Sequence, residues 1–145
     1  MPIMPFEGER AISQYFATRH PRYTALGLLG HNGIDFELPL ATEVLAPADG
    51  EAVEVAYDPS GYGYYVKLRT PEGEDWLLAH LLFWHLPMPG EWLAEGARVG
   101  FSGNSGMSTG PHLHLGYRPD WRNRGGGYSG YVDPLPFLDP ERFQL

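Results

Sequence analysis

The sequence contains no cysteine, which excludes a thiol nucleophile, a thiolate metal site and a disulfide framework. Lysine is nearly absent as well: Lys67 stands alone among 10 basic residues, against 18 acidic ones. With a formal net charge of −8, the chain has no basic surplus to neutralise a phosphate backbone, so nucleic acid is not expected as a partner. No run is long or apolar enough to span a membrane. Residues 1–7 lack the basic start and apolar stretch of a secretory signal. Action without classical export, or a leader removed beforehand, is therefore expected.

What is present points to a β-rich globule. The 145 residues suit one domain, and an apolar content of 43% is enough to build a core. The 19 glycines and 14 prolines interrupt the chain every few residues, which favours short strands and turns over long helices. Apolar and polar residues alternate over 42–46 and 50–56, with Pro47-Ala48-Asp49-Gly50 as a turn between them. Further strands are expected over 64–69, 75–81, 96–101 and 113–118, and one short helix around 11–17. The fold class is mainly β, an antiparallel sheet or sandwich. Residues 1–27 read as an irregular approach segment, 28–118 as the core, and 119–145 as a tail wrapping the sheet edge.

The histidines carry the chemistry. His112 and His114 close a glycine-rich run, Ser102 to Pro111, and in an extended strand residues two apart share a face. Upstream, His31 and Asp35 sit in Gly30-His31-Asn32-Gly33-Ile34-Asp35, where the same even spacing applies. Two imidazoles and a carboxylate match the protein ligands of a catalytic zinc with one position open for water. Gly33 between the first two removes a side chain that would crowd such a site. Spacing does not decide whether His112 or His114 is the ligand. The other histidine would be free for proton transfer near neutral pH. His80 lies in an apolar strand, where an unpaired imidazole is expensive to bury, and it reads either as a core histidine or as a site residue. His20 and His85 read as surface positions. The run from Gly103 to Gly110 lacks the Lys-Ser/Thr ending of a P-loop and precedes a strand, so nucleotide binding is not expected. No serine sits in a strand–turn–helix nucleophile setting.

In order along the chain, these motifs resemble the lysostaphin-type, LytM-like zinc endopeptidases of bacterial cell walls. The matching pieces are Gly30 to Asp35, Ala46-Pro47-Ala48-Asp49-Gly50, Gly61 to Val66, Ala79-His80-Leu81, Gly90 to Gly96, Gly103-Asn104-Ser105-Gly106 and Ser108 to His114. The resemblance spans about residues 28–118. It implies His31, Asp35 and His114 as ligands of one Zn2+ per chain. It also implies His80 and His112 as catalytic histidines that orient water and stabilise the tetrahedral intermediate. The implied fold is a mainly antiparallel β structure with long loops forming a substrate groove, and the implied substrate is the peptide part of peptidoglycan. The implied place of action is the cell wall, extracytoplasmic or phage-delivered. Tyr131 to Leu138 is similar to the tail of small phage versions of this domain, which implies phage structural or lysis partners. Some relatives have lost ligands and activate other wall hydrolases, so a non-cleaving regulatory or binding module is the alternative.

Overall fold

The structure, a computed structural model, describes residues 1–140. Its strands are β1 (Ile12–Gln14), β2 (Ile34–Phe36), β3 (Glu43–Leu45), β4 (Gly50–Asp58), β5 (Gly63–Arg69), β6 (Asp75–Leu81), β7 (Trp92–Leu93), β8 (Arg98–Phe101) and β9 (Leu113–Arg118). Seven of them form one antiparallel sheet in the order β1-β2-β9-β6-β5-β4-β7, while β3 and β8 pair separately. One face of the large sheet packs on the small one. Leu113, Leu115, Trp76, Leu78, Val66 and Leu68 meet Val44, Val99 and Phe6 in a closed apolar core. Alternation sends the intervening residues His114, Gly116 and Arg118 of β9 to the opposite face.

Where the chain was expected to be helical, around 11–17, it forms β1 instead. Residues 11–16 alternate exposed and half-buried, a period of two, and Ile12 pairs with Phe36 while Gln14 pairs with Asp35. Tertiary pairing with β2 outweighs a weak local helix preference. Among the described residues the single α-helix is α1 (Pro21–Ala25). His20 caps it by accepting from the Arg22 backbone N–H, and Pro21 opens it, where a missing N–H costs nothing.

Two irregularities shape the working face. In β6 the core residues Leu78 and Leu81 are three apart, which strict alternation forbids. An extra residue resolves the parity: the register with β5 slips between Tyr64 and Val66, and His80 takes a left-handed φ of 63°. At the tail, Val132 bridges to Tyr117 on the stretch of β9 that the three-residue β2 leaves unpaired. Beneath that tail lies a buried ion cluster. Asp75, fully buried, accepts from Arg118 Nη2 (2.7 Å) and Arg69 Nε (2.8 Å), and Arg118 Nη1 reaches on to Ser129 O (3.1 Å).

Candidate metal centre

Adjacent strands deliver the polar residues to one spot on the open face. Asp35 of β2 stands directly opposite His114 of β9, which stands opposite Ala79 of β6. His31 lies just before β2, not in it. Its backbone is clamped between residues 17 and 18, accepting from Ala17 N–H and donating to Thr18 O at 2.8 Å each. Gly33 allows this turn to press on β9, because a Cβ there would sit 2.4 Å from Leu115 O and 2.7 Å from His114 Cε1.

Two imidazoles converge on a single carboxylate oxygen. His31 Nε2 is 2.9 Å and His114 Nδ1 is 3.1 Å from Asp35 Oδ1. One candidate donor atom from each of the three residues lies within 4.8 Å of the others, and all three residues are buried. The outer nitrogens, His31 Nδ1 and His114 Nε2, are buried without a hydrogen-bond partner, so the convergence on Asp35 is the polar contact that orients both rings. Two nitrogens and an anionic oxygen at this spacing suit a borderline-soft divalent ion such as zinc. Burial alone would raise the Asp35 carboxyl. The hydrogen bonds from His114 and His31 outweigh it and hold the group well below the usual carboxylate range, so Asp35 is anionic. Burial lowers His31 despite its bond to Asp35, which favours the neutral, metal-ligating form.

His112 and His80 stand beside this group and are arranged differently. His112 Nδ1 is 2.8 Å from Gly110 O, and His80 Nδ1 is 2.7 Å from Ser105 O. A carbonyl oxygen only accepts, so each Nδ1 carries a proton, and in the neutral ring the lone pair then lies on Nε2. His112 Nε2 lies 3.5 Å from Asp35 Oδ2, and the two rings are 4.6 Å apart. Burial, reinforced by His114 and His112, pushes His80 down to about 4, so it is neutral at ordinary pH. The glycine-rich run supplies both anchoring carbonyls. Ser105 in turn ties that run to the sheet, donating to Leu81 O (2.6 Å) and accepting from Tyr64 N–H (3.0 Å). Gly106, at φ 78°, lets the loop pack on the start of β5, since a Cβ there would sit 2.2 Å from Gly63 N. His20 and His85 are exposed, as the sequence suggested.

A groove of about 510 Å³ runs over all five residues. Sequence reasoning missed one of its walls. Gln14 of β1, Arg22 and Tyr23 of α1, and Leu28 line it, and the Tyr23 ring stands 5.2 Å from that of His31. Tyr23 O–H donates to Gln14 Oε1, joining strand to helix. Opposite, Asn32 donates to the Tyr62 hydroxyl at 2.8 Å. No alternation in Ala11-Ile12-Ser13-Gln14-Tyr15-Phe16 itself marks this wall; it exists through pairing with β2.

The family model described as Peptidase family M23 matches residues 29–128. An uncharacterized metalloprotease of Haemophilus influenzae is 35% identical over 118 residues, covering 81% of this chain and 25% of its own length. The peptidoglycan DD-endopeptidase ShyA of Vibrio cholerae is 34% identical over 111 residues, 76% of this chain and 25% of that protein. This chain thus spans about a quarter of the length of these relatives. Among solved structures, the catalytic domain of lysostaphin from Staphylococcus simulans superposes with a TM-score of 0.73 at 27% identity, over 88% of this chain and 91% of that one.

Proposed function

The chain belongs to peptidase family M23, and we propose that it is a zinc-dependent endopeptidase hydrolysing peptide bonds in bacterial peptidoglycan, in the stem peptide or the cross-bridge. The observation that carries this reading is the meeting of His31 Nε2 and His114 Nδ1 on Asp35 Oδ1, beside two imidazoles anchored through Nδ1 to backbone carbonyls. A zinc ion held by His31, Asp35 and His114 would supply Lewis acidity and lower the pKa of water toward neutrality. The chain's own residues supply the rest. Either Nε2 lone pair, on His112 or His80, is placed to take a proton from attacking water. The imidazolium so formed becomes a donor toward the oxygen of the developing tetrahedral centre. The anchoring carbonyls of Gly110 and Ser105 hold both rings in that tautomer throughout.

Peptidoglycan as substrate is supported by the named activity of the Vibrio relative. Action at the cell wall, with delivery by a phage or prophage system, belongs to the same proposal and rests on the likeness of residues 131–138. Among the described residues no helix is long and apolar enough to cross a membrane. A non-cleaving regulatory module would have no use for two tautomer-fixed histidines aimed at the candidate ligands.

The test is release of new amino termini from purified sacculi by protein loaded with one equivalent of zinc, and its loss on chelation. His114→Ala should lose metal and activity together. His112→Ala should keep the metal yet lose turnover by on the order of a hundredfold. Zinc-loaded wild type that leaves sacculi of several species intact would overturn the peptidase reading in favour of the regulatory one.

A further inference from the structure

The groove wall built by residues ahead of the matched stretch 29–128 carries a cation with no counter-ion. Among the described residues, Arg22 is the sole lysine or arginine lining the groove. Its Nε–H donates to His20 Nδ1 at 3.2 Å, the atom that also accepts from the Arg22 backbone N–H at 3.1 Å. The guanidinium carbon lies 5.7 Å from the Tyr23 ring centre. Among the described residues, its terminal nitrogens make no hydrogen bond and no ion pair. Three other arginines here are committed, Arg69 and Arg118 to Asp75 and Arg122 to Asp120. Arg22 is therefore a fork tethered at its base with both tips open.

We propose that Arg22 recognises a carboxylate of the peptide substrate, an inference that rests on the peptidase reading above. Planar guanidinium and carboxylate match in a bidentate pair. The remaining charges of the groove, Asp35, Glu37 and Asp58, are all negative, which disfavours a doubly charged phosphate and suits a single carboxylate held away from them. The Tyr23 ring beside the guanidinium is tilted against the His31 ring, 5.2 Å between centres, so the recognised carboxylate lies on the His31 side of the groove. A peptide from the wall offers this group in two ways, as a free C-terminus or as a side-chain carboxylate.

Zinc-loaded His112→Ala protein, full chain, is titrated calorimetrically with a synthetic stem pentapeptide ending in D-alanyl-D-alanine. It is titrated in parallel with the C-terminal carboxamide of that peptide and with a form amidated only at its internal carboxylates. One amidated form should bind about tenfold more weakly or worse, and which one identifies the source of the carboxylate. The preference should vanish when Arg22→Gln is added and survive in part with Arg22→Lys, whose charge lacks the fork. In active protein, Arg22→Gln should raise KM more than it lowers kcat. Equal binding of all three peptides within twofold, no measurable binding, or a preference that persists in Arg22→Gln would overturn the assignment. Wild type that shows the preference yet leaves sacculi uncut would instead sink the hydrolysis reading and leave Arg22 standing.

Discussion

Gly33→Ala should abolish tight metal binding without removing a single ligand. The added methyl would sit 2.4 Å from Leu115 O and 2.7 to 2.8 Å from two atoms of the His114 ring, about 1 Å short of ordinary contact. Two adjustments are open. The Leu115 carbonyl can retreat, which strains the β2–β9 pairing where Ile34 faces Leu115, or the His114 ring can rotate away from Asp35. The ring is the cheaper of the two, because its outer nitrogen has no partner to lose. Metal geometry tolerates only about 0.2 Å of error in ligand distance, so a displacement approaching 1 Å is decisive. Zinc affinity should fall at least ~10- to 100-fold, and overpacking should cost about 1–3 kcal/mol of stability. Competition against a chromophoric chelator reads the first, and thermal melting with and without zinc reads both. Gly110→Ala is the control, since a Cβ there meets nothing within 4 Å and should leave zinc binding intact. Gly33→Ala protein that binds zinc like wild type would refute the close approach of the His31–Asp35 turn to β9.

Two further outcomes follow from buried charge. Asp75→Ala leaves the fully buried Arg118 without its partner and should destabilise the fold by about 3–5 kcal/mol in urea titration, with the tail around Ser129 loosening first under limited proteolysis. His80, lowered from 6.5 to about 4, binds its proton more weakly folded than unfolded. In chelator-treated protein its contribution is therefore full above pH 6.5 and is lost as pH falls toward 4, a loss of about 3 kcal/mol. Melting curves across that range should show this slope, and His80→Gln should flatten it. An unchanged slope would mean that His80 is not the titrating group.

Much of the fold was legible because apolar runs bounded by Gly/Pro turns, such as 70–74, mark the inner strands. Expected spans 75–81 and 113–118 coincide with β6 and β9, and 64–69 falls one residue inside β5. Strand alternation correctly put His112 and His114 on one face, both within reach of Asp35. At His31 the strand arithmetic does not apply, because the residue arrives at Asp35 through a clamped turn instead of a strand. Short edge elements escaped. β7 has two residues, and β1 owes its existence to β2 more than to its own sequence. The role of residues 11–28 as a groove wall depends on side-chain contacts between distant segments, such as Tyr23 with Gln14 and His31, and no local pattern encodes those.

The hardest thing to foresee was how one sheet sorts four neighbouring histidines into two kinds. Residue type and spacing are silent on which ring nitrogen is free; the second contact of each ring decides. His31 and His114 have none besides the carboxylate, so their inward nitrogens are spent on it. His80 and His112 each donate Nδ1–H to a backbone carbonyl of the glycine-rich run, so in the neutral ring the far nitrogen holds the lone pair. The bulge at His80 is required for this. Without the left-handed residue, parity would place either Leu81 or His80 on the wrong face. Such strain costs about 1–3 kcal/mol and persists where surrounding contacts over-determine it. Here those contacts are Tyr62 O accepting from His80 N–H at 2.8 Å and Gly103 N–H donating to His80 O at 3.0 Å. The glycine-rich run is thus a scaffold for ring orientation, and its small residues let the backbone carbonyls of Ser105 and Gly110 come close enough to anchor His80 and His112.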